Sequence, residues 1–242
     1  ISQEQYDKLS SEKMEGTLLG VYAMIYTMGG DRHDEFGQRS IDLWGDLLSG
    51  DIALTNKTYG WLYTDEQMLT ASARTGTIWS FYYDMLHNIN TIVFSIENSS
   101  KIMNLIAENG YPGDGGAYTY TEEETMYALY MAQALAMRGY CYGNLARWYT
   151  PVMKSSYMTG YTIDTYKCVP LYTESNMNSP QALSTSAEVY NRVFSDLSTS
   201  IMLFEKFGAY YEEVQGSKYN RDTKLIININ VARGLIAYSY LN

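Results

Sequence analysis

The longest stretch of regular hydrophobic spacing lies between Met126 and Pro151. Within it, residues with little or no side chain recur every three or four positions, as they do along one face of a helix. These small residues are Ala128, Ala132, Ala136, Gly139, Gly143 and Ala146. Larger apolar residues flank this stripe on both sides, which is typical of a helix buried nearly all round. The pattern predicts a central helix from Thr121 to Tyr149, with another helix packed closely on the small-residue stripe.

Both ends of this central helix are marked in the sequence. Thr121 and Glu124 have the spacing of a capping box, and three consecutive glutamates suit the positive end of a helix dipole. Pro151 ends the pattern because proline cannot continue a helix.

Four helical patterns precede the central helix. The first covers residues 4–28 and is followed by Gly29 and Gly30, which are a C-cap signal. A shorter pattern around Trp44 ends at Gly50, and a longer one carries a continuous apolar stripe over residues 78–96. A short helix is also expected near residues 102–107. We therefore expect four helices here, joined by irregular connections.

Two helices are predicted after the central one. Between Pro151 and Pro180 no helical period is present, which predicts an elaborate excursion on the surface. Ser184 or Ser186 is then expected to cap a helix that ends near Gly208. The predicted core-facing stripe of this helix is Tyr190, Phe194, Leu197, Ile201 and Phe204. A last helix is expected from about Asp222, with a core-facing stripe of Leu225, Ile229, Ala232, Leu235, Ile236 and Tyr240.

Amino-acid composition and net charge limit the classes of function that the chain can have. The 242 residues are 46% hydrophobic, enough for a large core, and carry a net charge of −10 with no cluster of Lys and Arg. Nucleic acid is therefore excluded as a partner, because phosphate contacts need clustered cationic side chains. The 25 tyrosines against 6 phenylalanines favour a recognition surface, since tyrosine combines an apolar ring with a hydroxyl group.

The two cysteines do not indicate a disulfide framework or a zinc site. Cys141 lies within the central helix, where we expect a small core residue, and Cys168 lies in the predicted excursion. With only His33 and His87 as further soft ligands, a structural zinc site is not expected, and no cofactor is implied. No apolar run approaches the ~20 residues of a membrane span, and residue 1 lies in a polar segment without a signal peptide. We expect either a cytoplasmic protein or a chain that starts after its targeting segment.

A series of short motifs follows the helices in order. They are residues 18–26 with a Gly-x-Tyr, Leu43-Trp44-Gly45-Asp46 followed by Ser49-Gly50-Asp51, residues 79–90, Ala136-Met137-Arg138-Gly139-Tyr140 running to Arg147-Trp148-Tyr149, Val169-Pro170-Leu171, Ser186-Ala187-Glu188-Val189-Tyr190 with Asp196-Leu197, and Asn230-Val231-Ala232-Arg233-Gly234-Leu235. Their order and spacing resemble those of the SusD/RagB family, outer-membrane nutrient-binding lipoproteins of gut Bacteroidetes.

The resemblance implies an all-α fold: tetratricopeptide-like helix pairs in a right-handed superhelical bundle with long loops. Because the family's chains run well beyond this length, we expect residues 1–242 to form a single SusD-like helical domain that is cut off at its C-terminal end. The small-residue stripe and the two-sided helices agree with this expectation, because stacked helix pairs need both.

The same resemblance implies a function. Family members are tethered to the cell surface by a lipid, cover a SusC-like TonB-dependent transporter in the outer membrane, and bind glycans or peptides without catalysing a reaction. A tetratricopeptide-type adaptor that binds a peptide of another protein is the alternative, and an enzyme is third.

A glycan site needs aromatic rings for the C–H faces of sugars and polar side chains for the hydroxyl groups. The aperiodic connection over residues 51–65 contains both. We predict that Trp61, with Tyr59 or Tyr63, stacks on a sugar, and that Asn56 and Asp51 hydrogen-bond to it. The alternative is that these rings cover helix ends beneath the connection.

Other candidate residues favour structural roles. The loop over residues 110–116 is rich in glycine but follows no predicted strand and has no Gly-Lys-Ser/Thr, so a phosphate site is not expected. Tyr111, Tyr118 and Tyr120 beside it form a weaker second platform candidate. His33, among acidic residues in a polar loop, does not indicate a metal or acid–base site.

Arg138 stands in an otherwise apolar part of the central helix. A buried arginine must be paired, and we expect its partner to be Asp84, Glu124 or helix carbonyl groups. A structural ion pair is favoured over a ligand contact.

Overall fold

Helices dominate the computed structural model, which describes residues 11–28, 36–52, 73–98, 122–150, 160–210 and 226–241. The helices are α1 (Ser11–Met24), α2 (Gln38–Ser49), α3 (Ala73–Glu97), α4 (Glu122–Tyr149), α5 (Ser186–Tyr210) and α6 (Ile229–Leu241). Strands β1 (Lys167–Pro170) and β2 (Leu183–Thr185) form an antiparallel pair between α4 and α5. The predicted helical class is therefore confirmed. Among the described helices, none is long and apolar enough to span a membrane.

The chain divides into two compact units, and the smaller one comprises residues 19–85. In this unit the side chain of Trp44, a residue of α2, is completely buried. The Tyr82 hydroxyl of α3 donates to Gln38 Oε1 at 2.8 Å. The backbone N–H of Gln38 donates to the carbonyl of Ile25 at 2.9 Å, and Gly37, with φ of 58°, lies directly against that carbonyl. This contact requires glycine, because a Cβ there would be 2.0 Å from the Ile25 oxygen.

These contacts explain why α1 ends early. The predicted helix extends to Met28 with a cap at Gly29 and Gly30, but α1 ends at Met24 and the chain turns at Ile25 and Tyr26. The Ile25 carbonyl accepts a bond from the start of α2 instead of from a further helical turn. Residues 29–35, which include Gly29, Gly30 and His33, lie outside the described part of the chain.

The larger unit, residues 1–18 with 86–242, is organised around α4. The small-residue stripe is buried except for Gly143, which is half-buried; Ala132, Ala136 and Ala146 are completely inaccessible. The Ser200 hydroxyl of α5 donates to the Ala132 carbonyl of α4 at 2.6 Å, so the two helices approach at backbone distance. The prediction that another helix packs on this stripe is confirmed, and that helix is α5.

The predicted surface excursion contributes to the core. Val169 of β1 is fully buried, Cys168 is 7% exposed, and both cysteine thiols are free. The expectation that Cys168 is peripheral is therefore wrong, whereas Cys141 is a core residue as predicted. A buried strand of four residues is too short to show a period in the sequence.

The start of α5 differs from the prediction. Thr185, not Ser184 or Ser186, caps the helix: its Oγ1 accepts from the Glu188 N–H at 3.2 Å, and the Glu188 carboxylate accepts from the Thr185 N–H at 2.7 Å. This is a capping box. Ser186 is instead completely buried, and its hydroxyl lies 3.3 Å from that of Thr150.

The buried face of α5 is also rotated from the predicted stripe. Leu197 and Phe204 are buried as expected, but Tyr190, Phe194 and Ile201 are only partly buried. The remaining apolar residues of the buried face are Val189, Val193, Leu203 and Phe207. The helix continues to Tyr210, beyond the predicted end near Gly208.

The last helix starts later than predicted. Asn228 Oδ1 accepts from the N–H groups of Asn230 at 3.0 Å and Val231 at 3.1 Å, which is an N-cap, so α6 begins at Ile229 and not near Asp222. Leu225 of the predicted stripe lies outside the described residues; among the members that are described, only Ala232 is fully buried, and Tyr240 is 73% exposed.

Replacing Gly139 with leucine should destabilise the protein by about 1–3 kcal/mol through overpacking. A Cβ at this position would lie 2.8 Å from Leu197 Cγ, and Leu197 is fully buried, so the helix contact must shift to admit a larger side chain. Urea denaturation gives the free energy of unfolding. The control is Gly234→Leu, because Gly234 lies in α6 with no atom within 4 Å of an added Cβ. Equal stability of the two variants would contradict close packing at Gly139.

Candidate functional site

Most of the predicted sugar platform lies outside the described residues. Asn56, Tyr59, Trp61 and Tyr63 fall in the stretch 53–72, and their role remains a prediction. Asp51 is described, and it stands at the exposed C-terminal end of α2.

Local hydrogen bonds hold Asp51 in place. Gly50, with φ of 80°, is the left-handed C-cap of α2, and it lets the N–H groups of Asp51 and Ile52 donate back to the Asp46 carbonyl. The Asp51 carboxylate accepts from the Ser49 hydroxyl at 2.7 Å. A carboxylate has about four acceptor positions, so this one has capacity left for the hydroxyl groups of a ligand. Its hydrogen-bonding role towards a ligand remains a prediction.

Arg138 is a buried charged residue of the larger unit that pairs with several side chains. Its side chain is 3% exposed, and it makes a bidentate contact with Asp196 of α5, with Nε and Nη2 donating at 2.7 and 2.8 Å. Nη1 donates to Glu174 at 2.5 Å and to Asn90 of α3 at 3.1 Å. Arg192 also approaches Asp196, at 3.4 Å. We call these residues the Arg138 network.

Burial and the neighbouring charges shift the pKa values of this network in opposite directions. Burial alone would lower the pKa of Arg138, but Asp196 and Glu174 more than offset it, so the pKa of Arg138 is raised. Partial burial alone would raise the pKa of Glu174, but the Arg138 guanidinium outweighs it and holds that pKa below its ordinary value. Arg138 and Glu174 therefore remain charged at neutral pH.

The segment after β1 is fixed to the same place. The Tyr142 hydroxyl donates to the Tyr172 carbonyl at 2.7 Å and accepts from the Tyr172 N–H at 2.7 Å. Asn90 Nδ2 donates to the same carbonyl at 2.9 Å. Burial raises the pKa of Tyr142, so its hydroxyl stays protonated and can make both bonds. Glu174 is thereby held beside Arg138.

The prediction of a structural ion pair at Arg138 is confirmed, but the predicted partners are wrong. Neither Asp84 nor Glu124 is among the groups that Arg138 contacts. Helical spacing placed Arg138 in the core, but it gave no information about which residue of a distant helix faces it. The short helix predicted near residues 102–107 and the loop over residues 110–116, with Tyr111, Tyr118 and Tyr120, lie outside the described residues.

The sequence pattern did not predict an exposed aromatic cluster around α6. The Tyr240 ring stacks on that of Phe194, with centroids 4.4 Å apart. Arg147 donates to the Tyr238 hydroxyl and lies over the Tyr238 ring, 5.4 Å from its centroid. Tyr238 is 49% exposed and Tyr240 73%. The available signal was the pair of tyrosines near the end of the last helix, of which the helical period assigned Tyr240 to the core.

Comparison with known proteins identifies the family. A family model described as starch-binding, associating with the outer membrane, matches residues 6–220. The chain belongs to the SusD-like family. The resemblance seen in the motifs is therefore confirmed.

Solved structures share the SusD-like fold. The chain is similar to a SusD-like carbohydrate binding protein from Bacteroides vulgatus, with 18% sequence identity and a TM-score of 0.69. It is also similar to a SusD superfamily protein from Bacteroides thetaiotaomicron, with 17% identity and a TM-score of 0.58. Each match covers 96% of this chain but only 41% and 42% of those chains. No curated protein matches the chain.

Removing Asp196 should severely destabilise this SusD-like chain. We expect Asp196→Ala to cost about 3–5 kcal/mol, because it leaves Arg138 buried without its main counter-charge. The control is Glu205→Ala, which removes a pair to Arg233 whose side chains are more than half exposed, and which should cost less than about 1 kcal/mol. Urea denaturation of both variants tests this, and similar losses would contradict a dominant role for the Arg138 network.

The Glu174 contact should make stability depend on pH. Because its folded-state pKa lies below the unfolded value of 4.5, the ionised Glu174 stabilises the fold above about that pH and ceases to do so as pH falls through the folded pKa. Glu174→Gln should therefore be less stable than the parent at pH 7, and the difference should shrink towards pH 3. Thermal melts of both proteins across this range test it. A difference that stays constant with pH would show that charge is not involved.

Proposed function

We propose that this protein is a non-catalytic glycan-binding protein, held by a lipid anchor at the cell surface on the outer membrane. It captures oligosaccharides and passes them to a SusC-like TonB-dependent transporter. The observation that carries this proposal is the match of residues 6–220 to a family described as starch-binding and associating with the outer membrane. One solved structure of the same fold is described as a carbohydrate binding protein.

The charge of the chain favours an uncharged ligand. A net charge of −10 repels acidic glycans at long range, whereas a neutral oligosaccharide is not repelled. Neutral sugars are recognised by aromatic rings and hydrogen-bonding side chains, not by ion pairs. The tyrosine-rich composition suits this kind of recognition.

The proposed contact site is the connection over residues 51–65. Trp61, with Tyr59 or Tyr63, provides the stacking surface, and Asn56 and Asp51 provide hydrogen bonds. Two facts support this choice: three of five consecutive residues from Tyr59 are aromatic, and Asp51 has an exposed carboxylate held at the end of α2. Connections carry binding residues more often than the elements they join.

Replacing Trp61 with alanine should weaken glycan binding by about 1–3 kcal/mol, the usual range for losing a central aromatic contact. The helical circular dichroism and melting temperature should stay nearly unchanged, because the sequence predicts that Trp61 lies in a connection between helices. Isothermal titration calorimetry against starch, xylan and mannan oligosaccharides measures the affinity. Chromatography of the recovered oligosaccharide checks that it is returned intact, as expected for binding without catalysis.

Two exposed tyrosines provide matched controls. Tyr161→Ala removes a ring that is 55% exposed at the start of the described segment 160–210, and it should leave binding unchanged. Tyr240→Ala tests the aromatic cluster on α6: a loss of affinity there, with none at Trp61, would place the platform on α6. If no glycan binds the protein, peptide binding of the tetratricopeptide-adaptor type becomes the leading function.

A further inference from the structure

The exposed aromatic cluster around α6 is continuous and draws on three helices of the larger unit. The Tyr240 ring of α6 stacks on Phe194 of α5, with ring planes 26° apart. Tyr190, one helical turn before Phe194, continues the row, with ring centroids 6.4 Å apart. Tyr238, also on α6, contacts Arg147 of α4. Burial is the main cause of the raised pKa of Tyr190, and Arg147 and Tyr238 also act on it, so both lie near its hydroxyl.

Tyr240 presents its ring to solvent although the ring is held by a stacking contact. It is 73% exposed, whereas the ring of Tyr142, which fills the core, is completely buried. Phe194 supports one face of the Tyr240 ring and fixes its orientation before any ligand arrives. A ring ordered in advance loses less conformational entropy on binding than a mobile one. The stack therefore provides a preorganised surface for a flat apolar face.

Arg147 supplies hydrogen-bond donors in the same cluster. Its guanidinium carries five N–H donors, of which Nη1 donates to the Tyr238 hydroxyl and Nη2 donates to Asn144 Oδ1 at 2.7 Å. Both acceptors are neutral, and no carboxylate in the described part of the chain forms an ion pair with Arg147. In this respect it differs from Arg138, whose donors are bonded to two carboxylates. Arg147 therefore has donor capacity left for a ligand.

We infer that the aromatic cluster is a second binding site for a neutral oligosaccharide, separate from the predicted platform at Trp61. This inference rests on the proposed glycan-binding function. The apolar C–H face of one sugar lies on the Tyr240 ring, and hydroxyl groups of the same oligosaccharide accept hydrogen bonds from Arg147.

The combination of an exposed ring with a cationic donor favours a ligand rich in hydroxyl groups. A purely apolar partner would remove water from the Arg147 donors without replacing those hydrogen bonds, which is costly. The net charge of −10 repels an acidic ligand at long range. A neutral sugar has a C–H face for the ring and hydroxyl oxygens for the guanidinium, so it satisfies both parts of the cluster.

Substitutions at the exposed end of α6 test this inference. Tyr240→Ala removes the stacking ring, and Tyr240→Phe keeps the ring without its hydroxyl. The control Leu241→Ala removes a neighbouring apolar side chain that is 84% exposed. Because both positions are exposed, all three variants should keep the circular dichroism and melting temperature of the parent. The probes are maltotetraose, xylotetraose and mannotetraose, titrated by calorimetry into the full chain.

We expect Tyr240→Ala to bind the parent's preferred oligosaccharide at this site at least about tenfold more weakly, while Tyr240→Phe and Leu241→Ala bind as the parent does. In calorimetry the loss appears as fewer sugar molecules bound per chain. Trp61→Ala should lose binding at the platform and keep binding at the cluster. Because the two sites are separate, combining Trp61→Ala with Tyr240→Ala should remove more binding than either change alone.

Nitration of tyrosine locates the second site by an independent measurement. Tetranitromethane modifies exposed tyrosine rings, and mass spectrometry gives the rate at each position. A saturating concentration of the preferred oligosaccharide should slow the modification of Tyr240 and leave that of Tyr161, which is 55% exposed, unchanged. Equal rates at Tyr240 with and without the sugar would overturn the inference.

The outcomes separate this inference from the proposed function. If Tyr240→Ala binds the oligosaccharide as the parent does while Trp61→Ala does not, the cluster is not a site and the proposed function stands. If the parent binds no glycan, the proposed function and the inference both fall. A loss at Tyr240 with none at Trp61 would support the cluster and make it the main site.

Discussion

The buried pair between Arg138 and Asp196 is the constraint on which the larger unit depends. A charged guanidinium at 3% exposure is stable only if its counter-charges are held in place, because an unpaired buried charge is very costly. Its partners come from α3, α5 and the segment after β1, which are far apart in sequence. Any rearrangement of one of these elements leaves a buried charge or amide without its partner, so the network fixes their arrangement together.

The small-residue stripe makes this pairing possible. Gly139 directly follows Arg138, and Leu197 directly follows Asp196; in the structure the glycine lies against that leucine and the arginine against that aspartate. Since no side chain stands between α4 and Leu197, the helices come close enough for a bidentate contact with donors at 2.7 and 2.8 Å. The stripe and the ion pair are therefore two parts of one helix contact: apolar packing sets the distance, and the charges set the register.

Helical periodicity predicted the existence of the helices because it depends on residues near in sequence. It placed α2, α3 and α4 well, and it identified Arg138 as buried and paired. It could not give the partner of Arg138, since Asp196 is 58 residues away and reaches it only through tertiary packing. The helix ends are set by individual hydrogen bonds that periodicity does not show. Thr185 and Glu188 cap the start of α5, and Asn228 caps the start of α6. The Ile25 carbonyl, which accepts from Gln38, marks the end of α1. The candidate platform at Trp61 follows from composition alone.

The low identity to proteins of the same fold shows how weakly the helical core constrains the sequence. At 17–18% identity the fold is shared, because hydrophobic spacing and approximate volume are sufficient to specify a helical core. Within the Arg138 network, Arg138 and Asp196 belong to that core, since both are buried and bond to each other through two parallel contacts. The exposed Asp51 carries no such packing constraint, and its carboxylate has acceptor positions beyond its bond from Ser49. Under the proposed function, exposed positions of this kind can change without disturbing the buried pairing that holds the helices together.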